Sequence, residues 1–421
     1  MDLLAELEWR GLIQDISADL PAALKAETLT AYAGFDPTAS SLHVGSLMPI
    51  LMLARFQRAG HRVIAVVGGG TGMIGDPSGK TQERQLLSVE DVDRNVRGIR
   101  EQIERYVDFS GPGAAAMIDN AEWLRSARLI DFLRDVGKHF SVSAMLAKES
   151  VRRRIDSEQG ISFTEFTYSL LQAWDYKVLF ERHGCNLQFG GSDQWGNITA
   201  GIDLVRRMDQ GKAHGLTFPL LTTAAGTKFG KTEAGTIWLA ADRTSPYRFY
   251  QYFLGVDDRD VAKLLRFLTF LPEPEINALV LATQEAPEKR EAHRALAREL
   301  TRMTHGPAAL DRAEQISQIF FGGELAKLSA DEILDVLGDA PSSTVAAEKL
   351  AAGVDLWELL VASGLAASKG EARRAVEGGG LSLNGARITE LARKLTRADA
   401  MDGRFFLFRK GKKDYHVVRI A

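Results

Sequence analysis

Cysteine is nearly missing: Cys185 stands alone in 421 residues. That excludes an intrachain disulfide and any zinc site built on paired cysteines, and it suits a reducing compartment. The residue itself reads as a small apolar piece of a core. No segment reaches the run of about 18 apolar residues that a membrane span requires. The amino terminus, MDLLAELEWRGL, has acidic residues early and no basic stretch leading into an apolar one. The chain is therefore expected to be soluble, unprocessed and cytoplasmic, with no membrane partner. An excess of one charge is also lacking, since the formal net charge is −3. That balance hides an uneven distribution. From Ala366 to the end, thirteen Lys/Arg stand against six Asp/Glu, or +7, which leaves 39 against 49, or −10, for the rest. A basic tail on an acidic body fits either a solvated surface or contact with nucleic acid. No internal repeat is visible. What is present in quantity is apolar residue, 45% of the chain, enough for buried cores in the two or three domains expected at this length.

Residues 28–76 read as one β-α-β unit: a strand over Leu29 to Phe35, a loop, a helix from about Ser46, and a strand over His61 to Val67. Leu47, Ile50, Leu51, Ala54 and Phe56 recur near helical spacing, Pro49 is tolerable in a first turn, and Gly60 ends the helix. This order predicts a parallel, doubly wound sheet. Helices are expected over 90–107, 128–136 and 163–183, the last opened by Ser162-Phe163-Thr164-Glu165 as a capping box. A strand over Leu187 to Phe189 runs into Gly190-Gly191-Ser192-Asp193-Gln194 and a further helix. Residues 245–338 carry amphipathic stretches such as 288–303 and few strand signals, so a helical domain is expected. Ala340 to Thr344, with its Pro-Ser-Ser, resembles a linker. From about Val354 the pattern is mixed again, with helices over 357–363 and 369–377 and a strand and turn at Leu381-Ser382-Leu383-Asn384-Gly385.

The stretch Gly68 to Lys80, GGGTGMIGDPSGK, imitates two nucleotide motifs and fits neither. Gly70, Gly72 and Gly75 have dinucleotide-binding spacing, but Asp76-Pro77-Ser78-Gly79 cannot open the helix that would hold the pyrophosphate. Gly79-Lys80-Thr81 resembles the end of a P-loop, yet Ile74 occupies the position that needs glycine. What remains is a loop of close backbone approach at the carboxyl end of a strand, where α/β sheets bind ligands. His43 and Ser46 fall at a βα junction, where free amides favour phosphate. Ser46 can cap a helix and donate a hydrogen bond. Tyr168, Gln172 and Asp175 at i, i+4 and i+7 share a helix face suited to a small polar molecule. A carboxylate such as Asp175 that accepts a bond from a neutral hydroxyl rejects analogues without one. Lys228 and Lys231, around Gly230 and with little apolar anchoring, read as a mobile loop that brings positive charge to leaving phosphates.

Together these segments resemble the class I aminoacyl-tRNA synthetases, whose HIGH-type and KMSKS-type loops correspond to His43-Val44-Gly45-Ser46 and Lys228-Phe229-Gly230-Lys231-Thr232. The blocks YAGFDPTASSLHVGSL, GDPSGKTQER, FTYSLLQAWDY, LQFGGSDQWGNITAG and TSPYRFYQYFL look like the bacterial-type tyrosyl-tRNA synthetase family. Ser368 to Arg374 and Leu383-Asn384-Gly385 resemble an S4 RNA-binding domain. The resemblance implies a Rossmann-like α/β catalytic domain over 1–225, a KMSKS-type loop region over 226–244, a helical anticodon-binding domain over 245–339, a linker over 340–353 and a small α+β S4-like domain over 354–421. It implies ligation of L-tyrosine to tRNA(Tyr) through tyrosyl-adenylate by a homodimer. ATP is then a substrate, Mg2+ is carried with it, and no dedicated protein metal site is expected. Carried over residue by residue, Tyr32 and Asp175 bind the phenolic hydroxyl, Asp76, Tyr168 and Gln172 the ammonium, and Gln194 the carboxylate side. Asp36, Gly191 and Asp193 lie by the adenylate ribose, and Gly45 and Ser46 belong with them to the ATP site. Thr38, His43, Lys80, Arg84, Lys228, Lys231 and Thr232 contact phosphates. Ala33 and Ser46 depart from the family pattern, where cysteine and a second histidine are frequent. The rival readings are a tryptophanyl-type synthetase, an inactive RNA-binding regulator and a dehydrogenase.

Overall fold

The structure is a computed structural model that describes residues 2–78, 87–157, 160–232, 235–322, 325–338, 340–411 and 414–421. It divides into two compact units, Met1–Thr244 with Tyr252–Thr304, and Ser245–Gln251 with His305–Ala421.

The first unit is built on six strands: β1 (Asp15–Ile16), β2 (Thr30–Phe35), β3 (Arg62–Val67), β4 (Ala116–Asp119), β5 (Leu187–Gly191) and β6 (His214–Phe218). Their order across the sheet is β1-β6-β5-β2-β3-β4. All pairings are parallel except β1 with β6, where Asp15 lies opposite Thr217. The expected parallel, doubly wound sheet is therefore present with one antiparallel edge. The two-residue β1 is too short for any hydrophobic pattern to announce it, and the Thr217 hydroxyl holds it by donating to the Asp15 carboxylate at 2.7 Å. Strands β2 and β3 are apolar on both faces because helices cover both sides of the sheet. The Leu47–Arg58 helix accordingly buries residues all round, and Phe56 stacks on Phe189 of β5 at 5.2 Å. Truncating Phe56 to alanine would cost about 3–5 kcal/mol in lost transfer and cavity terms.

One charged residue of that helix is deeply buried for an identifiable reason. Arg55, 2% exposed, donates to the carbonyls of Phe267 and Thr269 at 3.0 and 2.8 Å, and Arg10 donates to those of Arg266 and Leu271 at 2.9 and 2.8 Å. These oxygens lie at and just past the carboxyl end of the Asp258–Leu268 helix, so two guanidiniums satisfy orphan acceptors and oppose the helix dipole. At the Phe163–His183 helix, Ser162 accepts from the Glu165 amide as a capping serine should, at 3.2 Å. The Glu165 carboxylate makes a buried ion pair with Arg154 at 2.6 Å.

In the second unit a five-stranded sheet runs in the order Ala386–Arg387, Leu381–Leu383, Phe405–Lys410, Asp414–Ile420, Ser342–Val345. Leu356, Leu360, Leu395, Phe406 and Phe408 form its core, each completely buried. The stretch expected to be a linker is thus corrected: Ser342–Val345 pairs in parallel with the last strand, Ser342 opposite Val417, and Ala347–Ala351 is helical. Pro341 does not prevent this, because it precedes the strand and its carbonyl accepts from the Val417 amide at 3.0 Å.

Candidate active site

In the sheet order the chain turns back between β2 and β5, the switch point where open α/β sheets form a crevice at the carboxyl ends of their strands. A cavity of about 360 Å³ opens there. It gathers Tyr32, Asp36, Thr38, His43, Gly45, Ser46, Asp76, Tyr168, Gln172, Asp175, Gly191, Asp193, Gln194 and Lys228, residues drawn from five separate stretches of chain. Lys80 and Arg84 lie outside the described residues. The side chains of Lys231 and Thr232 also lie outside them, although their backbone forms a short strand paired with Gly235–Thr236.

Asp175 and Tyr32 make the most distinctive part of the lining. The Asp175 carboxylate is 4% exposed and accepts from Trp123 Nε1 at 2.8 Å and from Asn120 Nδ2 at 2.9 Å. Burial pushes its carboxyl up to about 8; the two donors offset part of that, and the charges of Asp36 and Asp119 add to it. The Tyr32 hydroxyl is buried with no hydrogen-bond partner among the described residues, and burial beside Asp175 holds the phenol protonated, well above its ordinary range. Its ring is held edge-on by Tyr176 at 5.2 Å, and Tyr176 is itself anchored by donating to the His214 carbonyl at 2.7 Å. A buried hydroxyl without a partner is costly to maintain, so its retention in a cavity wall marks a place for a ligand's polar atom.

A second polar chain lines the same cavity. Asp76 accepts from Gln194 Nε2 at 2.7 Å and from the Ser78 amide at 2.8 Å, Gln172 donates to Gln194 at 3.2 Å, and Asn197 donates to Gln172 at 3.1 Å. These bonds leave one carboxylate among neutral amides, a surface that attracts a small cation. Asn120, Trp123, Asn197 and Gln188, whose buried Oε1 has no hydrogen-bond partner among the described residues, were not singled out in the sequence. Trp123 and Asn120 lie 52 and 55 positions from Asp175, so no local spacing could reveal them. Lys148 was missed as well: its ammonium is buried without a hydrogen-bond partner among the described residues and pushed down to about 8, with the charge of Asp76 partly offsetting the burial.

The glycine stretch serves packing more than ligand approach. A Cβ on Gly69 would stand 2.2 Å from Asp119 Oδ1, one on Gly70 2.7 Å from Leu124 Cβ, and one on Gly68 2.8 Å from Asp36 Oδ1. Asn120 Oδ1 then accepts from the Gly70 amide at 2.8 Å, so the loop and Asp175 share one clamp.

The loop before the Leu47–Arg58 helix corrects another expectation. Ser46 makes no side-chain capping bond; His43 does, its Nδ1 accepting from the Gly45 amide at 3.0 Å at the start of a 3-10 turn over Val44–Ser46. The ring folds back so closely that a Cβ at position 45 would lie 2.7 Å from His43 Cε1, which explains the glycine. At the other loop, apolar anchoring is present after all. Phe229 is buried against Tyr252 and Phe253, with ring centroids 5.3 and 6.1 Å apart, while the adjoining Lys228 is exposed and lines the cavity. Gly230 has φ +86°, and a Cβ there would meet Val44 Cγ2 at 2.3 Å, so the two loops touch through a glycine.

Residues 24–322 match the family model of tRNA synthetases class I (W and Y), and residues 332–418 match the tyrosine--tRNA ligase SYY-like C-terminal domain. The chain is 56% identical to a tyrosine--tRNA ligase of Roseiflexus castenholzii, over all of this chain and 99% of that protein. It is 51% identical to that of Geobacillus stearothermophilus, over the whole of both. A C-terminally truncated mitochondrial tyrosyl-tRNA synthetase of Aspergillus nidulans superposes with TM-score 0.68 at 32% identity, over 76% of this chain and 94% of that one. A tryptophanyl-tRNA synthetase of Encephalitozoon cuniculi, at TM-score 0.54 and 13% identity over 73% of this chain and 87% of that one, shares the fold alone. A six-stranded sheet with its crevice at the switch point, a buried phenol and a buried carboxyl in its wall and likeness to relatives over the full chain agree: this chain belongs to the tyrosine--tRNA ligase family of class I aminoacyl-tRNA synthetases.

Proposed function

We propose that this cavity forms tyrosyl-adenylate, with the tyrosine phenol between Tyr32 and Asp175 and its ammonium at Asp76, Tyr168 and Gln172. The observation that carries this reading is the pairing of a phenolic donor that has no partner among the described residues with a buried carboxyl in one cavity wall. A phenolic hydroxyl both accepts and donates, so it serves Tyr32 and Asp175 at once; phenylalanine offers no acceptor to Tyr32 and adds no donor to those Asp175 has from Trp123 and Asn120. Trp123 and Asn120 occupy Asp175 from behind and fix the direction in which it faces the substrate.

Gln194 stands on the carboxylate side, and Asp36, Gly191 and Asp193 lie by the ribose. A carboxylate oxygen of tyrosine attacks the α-phosphorus of ATP, the bond to the β-phosphate oxygen breaks, and pyrophosphate leaves. The terminal ribose hydroxyl of tRNA(Tyr) then attacks the acyl carbon, and AMP leaves. No enzyme nucleophile takes part. Thr38, His43 and Lys228, together with Lys80, Arg84, Lys231 and Thr232, offset the charge growing on the leaving phosphates, while binding supplies alignment. Mg2+ arrives with ATP as part of that substrate. Ser46 at the head of its helix and Ala33 in β2 leave the nucleotide with fewer contacts than the family pattern supplies.

The homodimer is proposed to form through an apolar face of the first unit. Leu129 and Ile130 are 69% and 71% exposed and Phe163 75%, on neighbouring helices where a lone subunit gains nothing from apolar side chains. tRNA is proposed to meet the basic tail along the Lys369–Glu377 helix, whose Ala372 and Val376 face the core while Lys369, Arg373 and Arg374 are exposed. Nothing among the described residues spans a membrane as a long apolar helix, and a cytoplasmic site of action is proposed on the single buried Cys185. Tyrosine-dependent ATP–pyrophosphate exchange tests the whole reading. Exchange with tyrosine and neither phenylalanine nor tryptophan is expected; equal exchange with tryptophan would overturn it.

A further inference from the structure

The two signature loops are joined by a third segment that the reaction has not yet used. Residues 237–239 run antiparallel to 42–44: the Val44 amide donates to the Ile237 carbonyl at 3.0 Å and the Leu239 amide to the Leu42 carbonyl at 2.8 Å, with His43 directly opposite Trp238. On its other side the Ile237 amide donates to the Gly230 carbonyl at 3.0 Å. The frame is pinned from behind, since Gln102 Oε1 accepts from the Leu42 amide at 2.8 Å and the Ser41 hydroxyl accepts from the Ala240 amide at 3.1 Å. In this frame the Trp238 ring stands edge-to-face with the His43 imidazole, centroids 6.3 Å apart at 72°, and the Arg243 guanidinium lies 3.5 Å over the Trp238 ring.

We propose that Trp238, backed by Arg243, is a positioning residue that orients the His43 imidazole towards the leaving phosphates. The inference rests on the phosphate role proposed for His43. The Gly45 amide donates to Nδ1, so the neutral ring carries its proton on Nε2, the nitrogen that serves as donor. One hydrogen bond fixes a point of the ring but leaves it free to swing about that point. An aromatic edge at contact distance removes this freedom, and the cation over the indole face holds the indole in turn. Because the same segment is bonded to Gly230, ring orientation and the base of the Lys228–Lys231 loop move together.

The test is a double-mutant cycle in the full-length enzyme on tyrosine-dependent pyrophosphate exchange, with tyrosine affinity measured by equilibrium dialysis as a check on folding. Trp238→Ala is expected to lower kcat about tenfold, a fraction of the roughly hundredfold that a 1 Å misplacement can cost, with tyrosine affinity unchanged. Trp238→Phe, which keeps an aromatic edge, is expected to stay within about threefold of the parent. In a His43→Ala background the Trp238→Ala loss is expected to vanish. Equal loss in both backgrounds would overturn the positioning role while leaving that of His43 intact. A silent His43→Ala would remove the phosphate role of His43, and this inference with it. Should Trp238→Ala lose tyrosine binding, Trp238→Leu keeps the bulk without the ring and carries the same comparison.

Discussion

Replacing Tyr32 with phenylalanine separates the cost of a recognition group from its benefit. The hydroxyl is buried, the residue is 2% exposed, and no described residue bonds to it. A polar group kept in that state costs about 1–3 kcal/mol. Deleting it should therefore stabilise the unliganded first unit, and at about 2–4 °C per kcal/mol for a large domain the melting temperature should rise by about 2–12 °C. With tyrosine bound the sign reverses. The hydroxyl then has a partner, and its loss should forfeit about 0.5–1.5 kcal/mol, or about two- to thirteenfold in tyrosine affinity. Phenylalanine never engaged the group, so discrimination should narrow by the same factor. Scanning calorimetry with and without tyrosine, beside pyrophosphate exchange with both amino acids, reads both effects. A lower melting temperature without ligand, or unchanged discrimination, would refute the reasoning.

Asp175 supplies a pH test. Its folded carboxyl sits at about 8 against about 3.9 in an unfolded chain, so between those values the native state holds a proton that the unfolded chain releases. Unliganded stability should fall as pH rises from about 4 to about 8, and Asp175→Asn should flatten that slope in urea titrations; an unaltered slope would contradict the burial argument. Gly230→Ala forces a side chain into φ +86° and onto Val44, a strain of about 1–3 kcal/mol. It should slow exchange about tenfold or more while tyrosine affinity holds, and loss of tyrosine binding would contradict this. Phe163→Asp places a charge on the proposed dimer face, so sedimentation should find monomers with unchanged secondary structure, and a persistent dimer would move the interface elsewhere.

The central β-α-β unit was legible because its pattern is long and carried by core residues: Thr30–Phe35, Leu47–Arg58 and Arg62–Val67 appear within a residue or so of expectation. The helix face bearing Tyr168, Gln172 and Asp175 was legible for the same reason, since period 3.6 needs only one helix. The sequence was least informative where partners are distant. Trp123 and Asn120 reach Asp175 across more than fifty positions, and β1 pairs with β6 through two residues. Two local signals were also outcompeted. The Ser342–Val345 strand carries linker-like residues but finds backbone partners in the last strand, and Ser46 makes no side-chain cap on its helix, where Pro49 at the third position has no amide to donate. The Lys228–Lys231 loop reads as having little apolar anchoring because the anchors of Phe229, Tyr252 and Phe253, lie more than twenty residues on.

The central claim is that one cavity holds two separable functions, reading tyrosine and neutralising phosphate. The most direct measurement is Lys228→Ala by stopped-flow adenylate formation and equilibrium dialysis together. Lys228 lines the cavity from an exposed position bridged to Thr222, apart from the buried Tyr32 and Asp175. Tyrosine affinity should stay within about twofold, and adenylate formation should slow by about one hundredfold, as loss of a transition-state contact predicts. A large loss of tyrosine affinity, or an unchanged rate of adenylate formation, would contradict the account.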